Sequence, residues 1–356
     1  MCVYKAMNTL RLFEQDKFTI IQTRLSNSFT QASSHINPIT PQLFVTLYYI
    51  IMASRESFTI GWVCALQEEY EAACAMLDEE IEGPQYQEPG DNNTYCFGRI
   101  GGHRIVIGSL PSGRYGVTAA ARVATDMTRT FYKLRLVLMV GIAGGAPTSV
   151  QDIRLGDVVV SVPYKNIGGV VQFDMGKQID GKFQRTGHLN SPPAQILNIL
   201  PELKRRHQFP DQYGGVDEHL KRFDNDPRFH RPDVDRLFRS DSKHLGGKTC
   251  TGCDSSELVV RPPRTSPRAI DVFYGTIASS NTLMKDARAR DSYAHDPELG
   301  VLCFEMEAAG LMNDSPCLVI RGICDYCDLH KNDEWHYYAA ATAAAYAREL
   351  LSVIEL

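Results

Sequence analysis

With 356 residues, 44% of them hydrophobic, the chain is long enough to bury one large α/β core or two modest ones, and one is expected. A net charge of -5 provides no global basic field, which argues against nucleic acid or an anionic membrane as partner. Ten cysteines, several inside apolar runs (Cys64, Cys303, Cys317, Cys324), read as reduced core thiols rather than a disulfide framework and point to an intracellular, cytoplasmic setting.

Residues 1–57 read as an N-terminal extension without motif, rich in Ser, Thr, Asn and Gln and expected to be poorly ordered. Its longest apolar run, Leu43 to Ala53, is too short to span a bilayer as a helix and lies too far in for an ordinary signal peptide. A partner-binding or membrane-surface helix at Leu43 to Ile51 is the competing reading. Met52 would itself make a sensible start, so the residues before it are expected to be dispensable.

From Phe58 the pattern becomes regular. FTIGWVCA to Ala65 is a buried β-run, and Leu66 to Leu77 has helical spacing with Glu68 and Glu69 in its first turn. Tyr95 to Ser109 reads as a hairpin about Gly101 and Gly102. The loop PSGRYG, with Ser112 and Arg114, opens an Ala-rich helix over Val117 to Phe131, and its backbone N–H groups could meet an anion or a sugar hydroxyl. Arg135 to Val140 reads as the central strand. The run GIAGGAP that follows, with Gly144 and Gly145, lets a ligand approach the backbone closely but is not a dinucleotide fingerprint. GDVVVS gives a further strand, with Asp157 as a turn residue.

Between Leu203 and Arg268 the periodicity dissolves. From Arg205 to Arg268 there are thirteen Lys or Arg against ten Asp or Glu, a local +3 in an acidic chain. This basic insertion, about 205–268, reads as a long excursion over the site's rim of the kind that often serves as a lid. Lys248, Arg261 and Arg264 are candidate phosphate ligands. Cys250 and Cys253 form a CxxC with no second pair at zinc-finger spacing, and His230 or His244 could join it only by folding back, so no metal is expected. A strand resumes over Phe273 to Ala278. FEMEAAG, from Phe304, reads as opening a helix that ends near Asn313 to Pro316. Cys317 to Cys324 then forms a buried strand that leaves Asp325 at its carboxyl end, the rim where open α/β sheets bind ligands. An Ala-rich helix from Tyr337 to Leu356 closes the domain.

FEMEAAG followed by VIRGICDYCD, with GWVCALQEEYEA, VGIAGGAP and GDVVVS in the same order, resembles the purine/uridine phosphorylase and nucleosidase superfamily, above all the version at the N-terminus of fungal NOD-like receptor and ankyrin-repeat proteins. The resemblance runs over 58–356 apart from the insertion, whose CxxCD and VVRPPR segments are similar to those of the receptor-associated versions. It implies a three-layer αβα phosphorylase/hydrolase-like fold around a mixed central sheet, and commonly a homo-oligomer.

The resemblance also implies roles. Glu69 would activate water, with Glu68 the neighbour to be confused with it. Asp325, its pKa raised by partial burial, would protonate or hydrogen-bond the purine at N7. Glu307 would accept hydrogen bonds from the ribose hydroxyls, with Met306 under the sugar. The segment from Gly275 resembles the base-pocket stretch GxIxSGD plus an aromatic, but carries Ser280, Asn281 and Leu283 in place of Gly, Asp and the aromatic; Leu283 and Met284 would line the base. No metal or organic cofactor is required. The expected activity is hydrolysis of adenosine or an adenine nucleotide, ATP included, to free adenine. A phosphate-dependent phosphorylase and a catalytically silent nucleotide-sensing receptor module remain the alternatives.

Overall fold

The computed structural model describes residues 54–264, 268 and 270–355. The expectations for the extension before Ser54, including the helix at Leu43 to Ile51, lie outside the described residues.

The sequence's buried β-runs become a mixed sheet. Its strands are β1 (Ile60–Cys64), β2 (Glu79–Glu80), β3 (Tyr95–Ile100), β4 (His103–Ser109), β5 (Leu136–Gly145), β6 (Val158–Ser161), β7 (Val170–Gln172), β10 (Val272–Ser279), β11 (Val301–Glu305) and β12 (Cys317–Asp325). The pair β8 (Gly176–Ile179) and β9 (Lys182–Arg185) forms a separate exposed hairpin. The order is β11-β10-β6-β12-β5-β1-β4-β3-β2, with β7 on β10. Because β11 also pairs antiparallel with the end of β5, strands β5, β12, β6, β10 and β11 close into a ring.

Strand β5 is the spine of this arrangement. All ten of its residues are buried. Its first half lies between β1 and β12, both parallel to it, and its last two residues fork across to β11. The glycines expected to follow the central strand are therefore its second half. Without side chains they let β12 and β11 come in on either side.

Helices α1 (Gln67–Ala75) and α6 (His336–Val353) pack together, α6 lying on β5 and β12, while α2 (Val117–Thr130) covers β1 and β4. Thirteen of the eighteen residues of α6 are buried, mostly alanine, which suits a helix pressed closely against strands. Helix α3 (Ala194–His207) leads into the insertion, where α4 (Gly215–Leu220) packs on α6; α5 (Ala287–Ala294) follows β10. The insertion is thus more folded than its composition implied, since Val216, Phe223, Phe229, Leu237 and Phe238 are all buried.

The helix expected over FEMEAAG does not form. Val301–Glu305 is a strand, and only a single 3-10 turn, Ala308–Gly310, follows. The Glu305 carboxylate accepts the backbone N–H groups of Glu307 and Ala308, which turns the chain sharply out of the sheet, and Pro316 ends the connection before a helix could propagate.

Candidate active site

The candidate side chains gather along the glycine half of β5. Gly141 faces Glu69 at the start of α1 and Arg321 in β12, and a Cβ there would collide with both. The next residue, Ile142, donates its N–H to Glu69 Oε1 at 2.8 Å. The other carboxylate oxygen of Glu69 accepts the N–H groups of Ala65 (2.6 Å) and Leu66 (3.1 Å). Glu68 points elsewhere and pairs with His336 Nδ1 of α6 at 3.0 Å, which draws its pKa down. The two neighbouring acids are thereby told apart.

Arg321 is fully buried and gathers three carboxylates: it is paired with Glu305, with Glu307 Oε2 at 3.6 Å, and with Glu69 Oε1 at 4.0 Å. One guanidinium does not neutralise three acids. Burial, opposed by Arg321 and reinforced by Glu305 and Glu69, lifts Glu307 to about 7, and burial raises Glu69 as well despite Arg321 and the backbone donors. Arg321 Nε has no hydrogen-bond partner among the described residues, an unmet donor inside a charged cluster. Sequence reasoning missed Glu305 and Arg321. The available signal was an arginine inside the buried run VIRGIC, since such a cation requires carboxylates of its own.

Gly144 is the second convergence point. Its β12 partner is Asp325 and its β11 partner is Phe304, so the strand end carrying Asp325 and the turn carrying Met306 and Glu307 flank one residue. A Cβ on Gly144 would strike Cys327 Sγ and Asp325 Oδ1. Asp325 is buried, with Oδ1 accepting the Cys327 N–H at 2.7 Å and Oδ2 accepting from Lys331 Nζ at 2.6 Å. Its pKa is lowered, not raised. Burial pushes it up, but Lys331, the Cys327 N–H and the Cys324 thiol outweigh that push. Lys331 was not anticipated, because an acid and a base six residues apart in a loop meet only through the fold.

The PSGRYG loop closes over Glu307. Gly116 N–H donates to Glu307 Oε1 at 3.2 Å and Val117 N–H to Asn281 Oδ1 at 3.1 Å, so the donors expected to await a ligand serve these two side chains. Gly116 has a φ of +97°, which only glycine adopts readily. Ser112 and Arg114 are exposed on the loop, and Arg114 lines an outer cleft with Arg122 and Asp126 rather than the carboxylate cluster. Leu283 is exposed, whereas Met284 packs on a small cluster with Phe173, Phe304 and Ala278 at the open end of β10.

The three candidate phosphate ligands are not brought together with the carboxylates. Arg261 pairs with Asp235 at 2.8 Å and donates to the Tyr326 hydroxyl at 2.9 Å; Arg264 forms ion pairs with Asp157 and, at 3.2 Å, with Asp271; Lys248 is exposed. Asp157 closes the turn that begins at Arg154, as expected of a turn residue, and is fully buried there. The insertion does cover the rim. Val234, Arg236, Phe238 and Cys250 line, with Asp325 and Lys331, a narrow cavity of about 30 Å³.

The chain belongs to the phosphorylase superfamily, whose profile matches residues 59–355. A nucleotide-binding leucine-rich repeat (NLR)-like protein of Hyaloscypha variabilis is 45% identical over 302 residues, covering 84% of this chain, which spans only 30% of that protein. A 5'-methylthioadenosine/S-adenosylhomocysteine nucleosidase of Mycobacterium bovis is 24% identical over 301 residues, 83% of this chain and 96% of the enzyme. Among solved structures, the futalosine hydrolase of Helicobacter pylori shares the fold with a TM-score of 0.53 at 16% identity, covering 85% of this chain and all of that one. The S-adenosylhomocysteine nucleosidase of Streptococcus pyogenes gives 0.52 at 17%, covering 84% and 98%. No helix among the described residues is long and apolar enough to cross a membrane.

Proposed function

We propose that this chain is a purine nucleosidase that hydrolyses the N-glycosidic bond of adenosine or an adenine nucleotide to free adenine and the ribose moiety. The observation that carries the reading is the cluster of Glu69, Glu305 and Glu307 about the single buried Arg321, set across Gly141 to Gly144 from Asp325.

Cleaving that bond builds positive charge on the sugar and negative charge on the base. An excess of buried carboxylate over guanidinium is a preorganised counter-field for the oxocarbenium-like sugar. Glu307 accepts hydrogen bonds from the ribose hydroxyls in place of its backbone N–H donors, and Glu69 takes a proton from water as the oxygen adds to the anomeric carbon. N7 takes a proton from solvent as the bond breaks, and Asp325, ionised beside Lys331, accepts a hydrogen bond from the resulting N7–H of the departing adenine, while the proton held by Glu69 returns to solvent. Because the cavity touching Asp325 has room for about one water, the Asp328 to Lys331 segment or the insertion must swing aside to admit a base.

Hydrolysis is favoured over phosphorolysis because the cluster is anionic and Arg114, Arg261 and Arg264 are directed to solvent or to structural carboxylates. A polyphosphate tail would have to draw Arg261 and Arg264 from those partners, with Lys248 free at the surface to assist. The 45% identity to an NLR-like protein, over a span that is 30% of its length, supports a second reading in which such a domain senses nucleotides for a larger receptor. Chromatography of adenosine, AMP, ATP and inosine after incubation, with and without phosphate and beside Asp325→Ala, tests all of these. Adenine released without phosphate, and lost in the variant, is the expected result; release only with phosphate marks a phosphorylase, and binding without release marks a silent sensor.

A further inference from the structure

The loop between Phe238 and Leu258 is closed at its base by a single β-bridge and, among the described residues, has no strand and only the 3-10 turn Ser255–Glu257. Gly246 and Gly247, both at φ +92°, bend it, and most of its side chains are exposed. Such a segment buries too little apolar surface to hold a shape unaided. Yet Cys250 is buried, the chain folds back, and His244, Cys250 and Cys253 present one ligand atom each, all within 4.8 Å of one another. This is the folding back that His244 needs in order to join the CxxC. His230, the other candidate, turns away and places Nε2 3.1 Å from the Asp224 carbonyl.

We propose that His244, Cys250 and Cys253 are ligands of a structural zinc ion, with His330 as the fourth. The chemistry of the donors fits: two thiolates and an imidazole at CxxC spacing are a zinc set, and tetrahedral coordination at ordinary bond lengths places such atoms about 3.5–4 Å apart. The Cys253 N–H donates to the Cys250 carbonyl at 3.1 Å, which folds the CxxC into a tight turn with both thiols on one side. His330 supplies an independent pointer. It is buried, neither ring nitrogen has a partner at hydrogen-bond distance among the described residues, Asp328 Oδ1 lying 3.8 Å from Nδ1, its ring lies 5.3 Å from that of His244, and its carbonyl is 3.5 Å from Cys250 Sγ. It is stacked on Phe238 at 3.7 Å, so engaging the metal requires only a turn of the ring off that face.

Zinc takes the place of the two thiol protons, which leave to solvent, so binding weakens in acid. The consequence for the fold is specific. His330 precedes Lys331, the partner of Asp325, so the metal would pin the insertion to the segment that sets the charge of Asp325. The site stands or falls independently of the reaction.

The test uses the full chain, stripped with a chelator and titrated with Zn²⁺ against a chromophoric competitor, and in parallel with Co²⁺. One equivalent bound, release of two protons, and the thiolate-to-metal band and intense visible bands of tetrahedral cobalt are expected. Cys250→Ser and Cys253→Ser should each weaken binding by more than His330→Asn does. His244→Ala, at a half-buried position, guards against loss of folding in the thiol variants. No stoichiometric zinc in the wild-type chain, or a Cys250–Cys253 disulfide formed in its place under mild oxidation with zinc present, overturns the proposal. Unchanged affinity in His330→Asn overturns the fourth ligand.

Discussion

Two buried carboxylate sites flank the glycine half of β5 and titrate in opposite directions. On one side Glu69, Glu305 and Glu307 share Arg321, and Glu307 rises to about 7; on the other Asp325 has Lys331 largely to itself and falls below its ordinary value. Burial is nearly the same, with Glu307 6% and Asp325 4% exposed, so burial does not decide the outcome. The number of carboxylates per cation does. One basic group among three acids leaves an anionic field suited to a cationic sugar, whereas one base on one acid leaves an ionised acceptor suited to a protonated base.

Removing the shared cation should have the largest effect. Arg321→Met strands three buried carboxylates and is expected to cost roughly 3–5 kcal/mol or to prevent folding altogether. Thermal melts, or recovery of soluble protein where none melts, read this out. Partial recovery in Arg321→Met with Glu305→Gln would show that the loss is electrostatic, not a packing defect. A single Arg321→Met variant as stable as the parent would break the comparison.

The second effect runs the other way. Because Glu307 moves from 4.5 to about 7, the folded chain holds a proton that the unfolded chain releases, so stability falls as pH climbs through that window and stays reduced above it. Glu307→Gln keeps an acceptor for the Gly116 N–H without the charge. It should therefore melt higher than the parent above pH 7, by roughly 1–3 kcal/mol, with little difference near pH 4. Turnover should be lost together with sugar binding. Equal pH dependence of melting in both proteins would mean that Arg321 satisfies all three acids.

How far the sequence carried this picture depends on whether partners are local. The strands of Phe58 to Ala65 and Cys317 to Asp325, the hairpin about Gly101 and the closing alanine helix were legible because each is written in a run of neighbouring residues. The FEMEAAG turn misread as a helix because its composition is helical, while β11 is fixed by Gly144 and Gly145, far away in the chain. Arg321, Lys331 and the convergence of His244 on Cys250 and Cys253 are long-range or loop-borne meetings that no periodicity encodes. The charge state of Asp325 reversed for the same reason. Burial could be inferred from its place in an apolar strand, but the cation facing it could not.

That reversal supplies the finest probe of the comparison. With its folded pKa depressed, Asp325 contributes stability that is fully present above the ordinary aspartate value and disappears as pH falls through the lowered one, so the contribution is lost only in strong acid. Lys331→Met keeps most of the side chain's bulk and deletes the charge. Burial then acts against only the Cys327 N–H and the Cys324 thiol, and the Asp325 pKa should climb. The lower acid limb of the pH–rate profile, measured on the substrate that releases adenine fastest, should move upward while the upper acid limb, governed by Glu307 near pH 7, stays in place. If instead both limbs move together, the two sites are electrostatically one, and the division of labour across Gly144 collapses into a single coupled cluster.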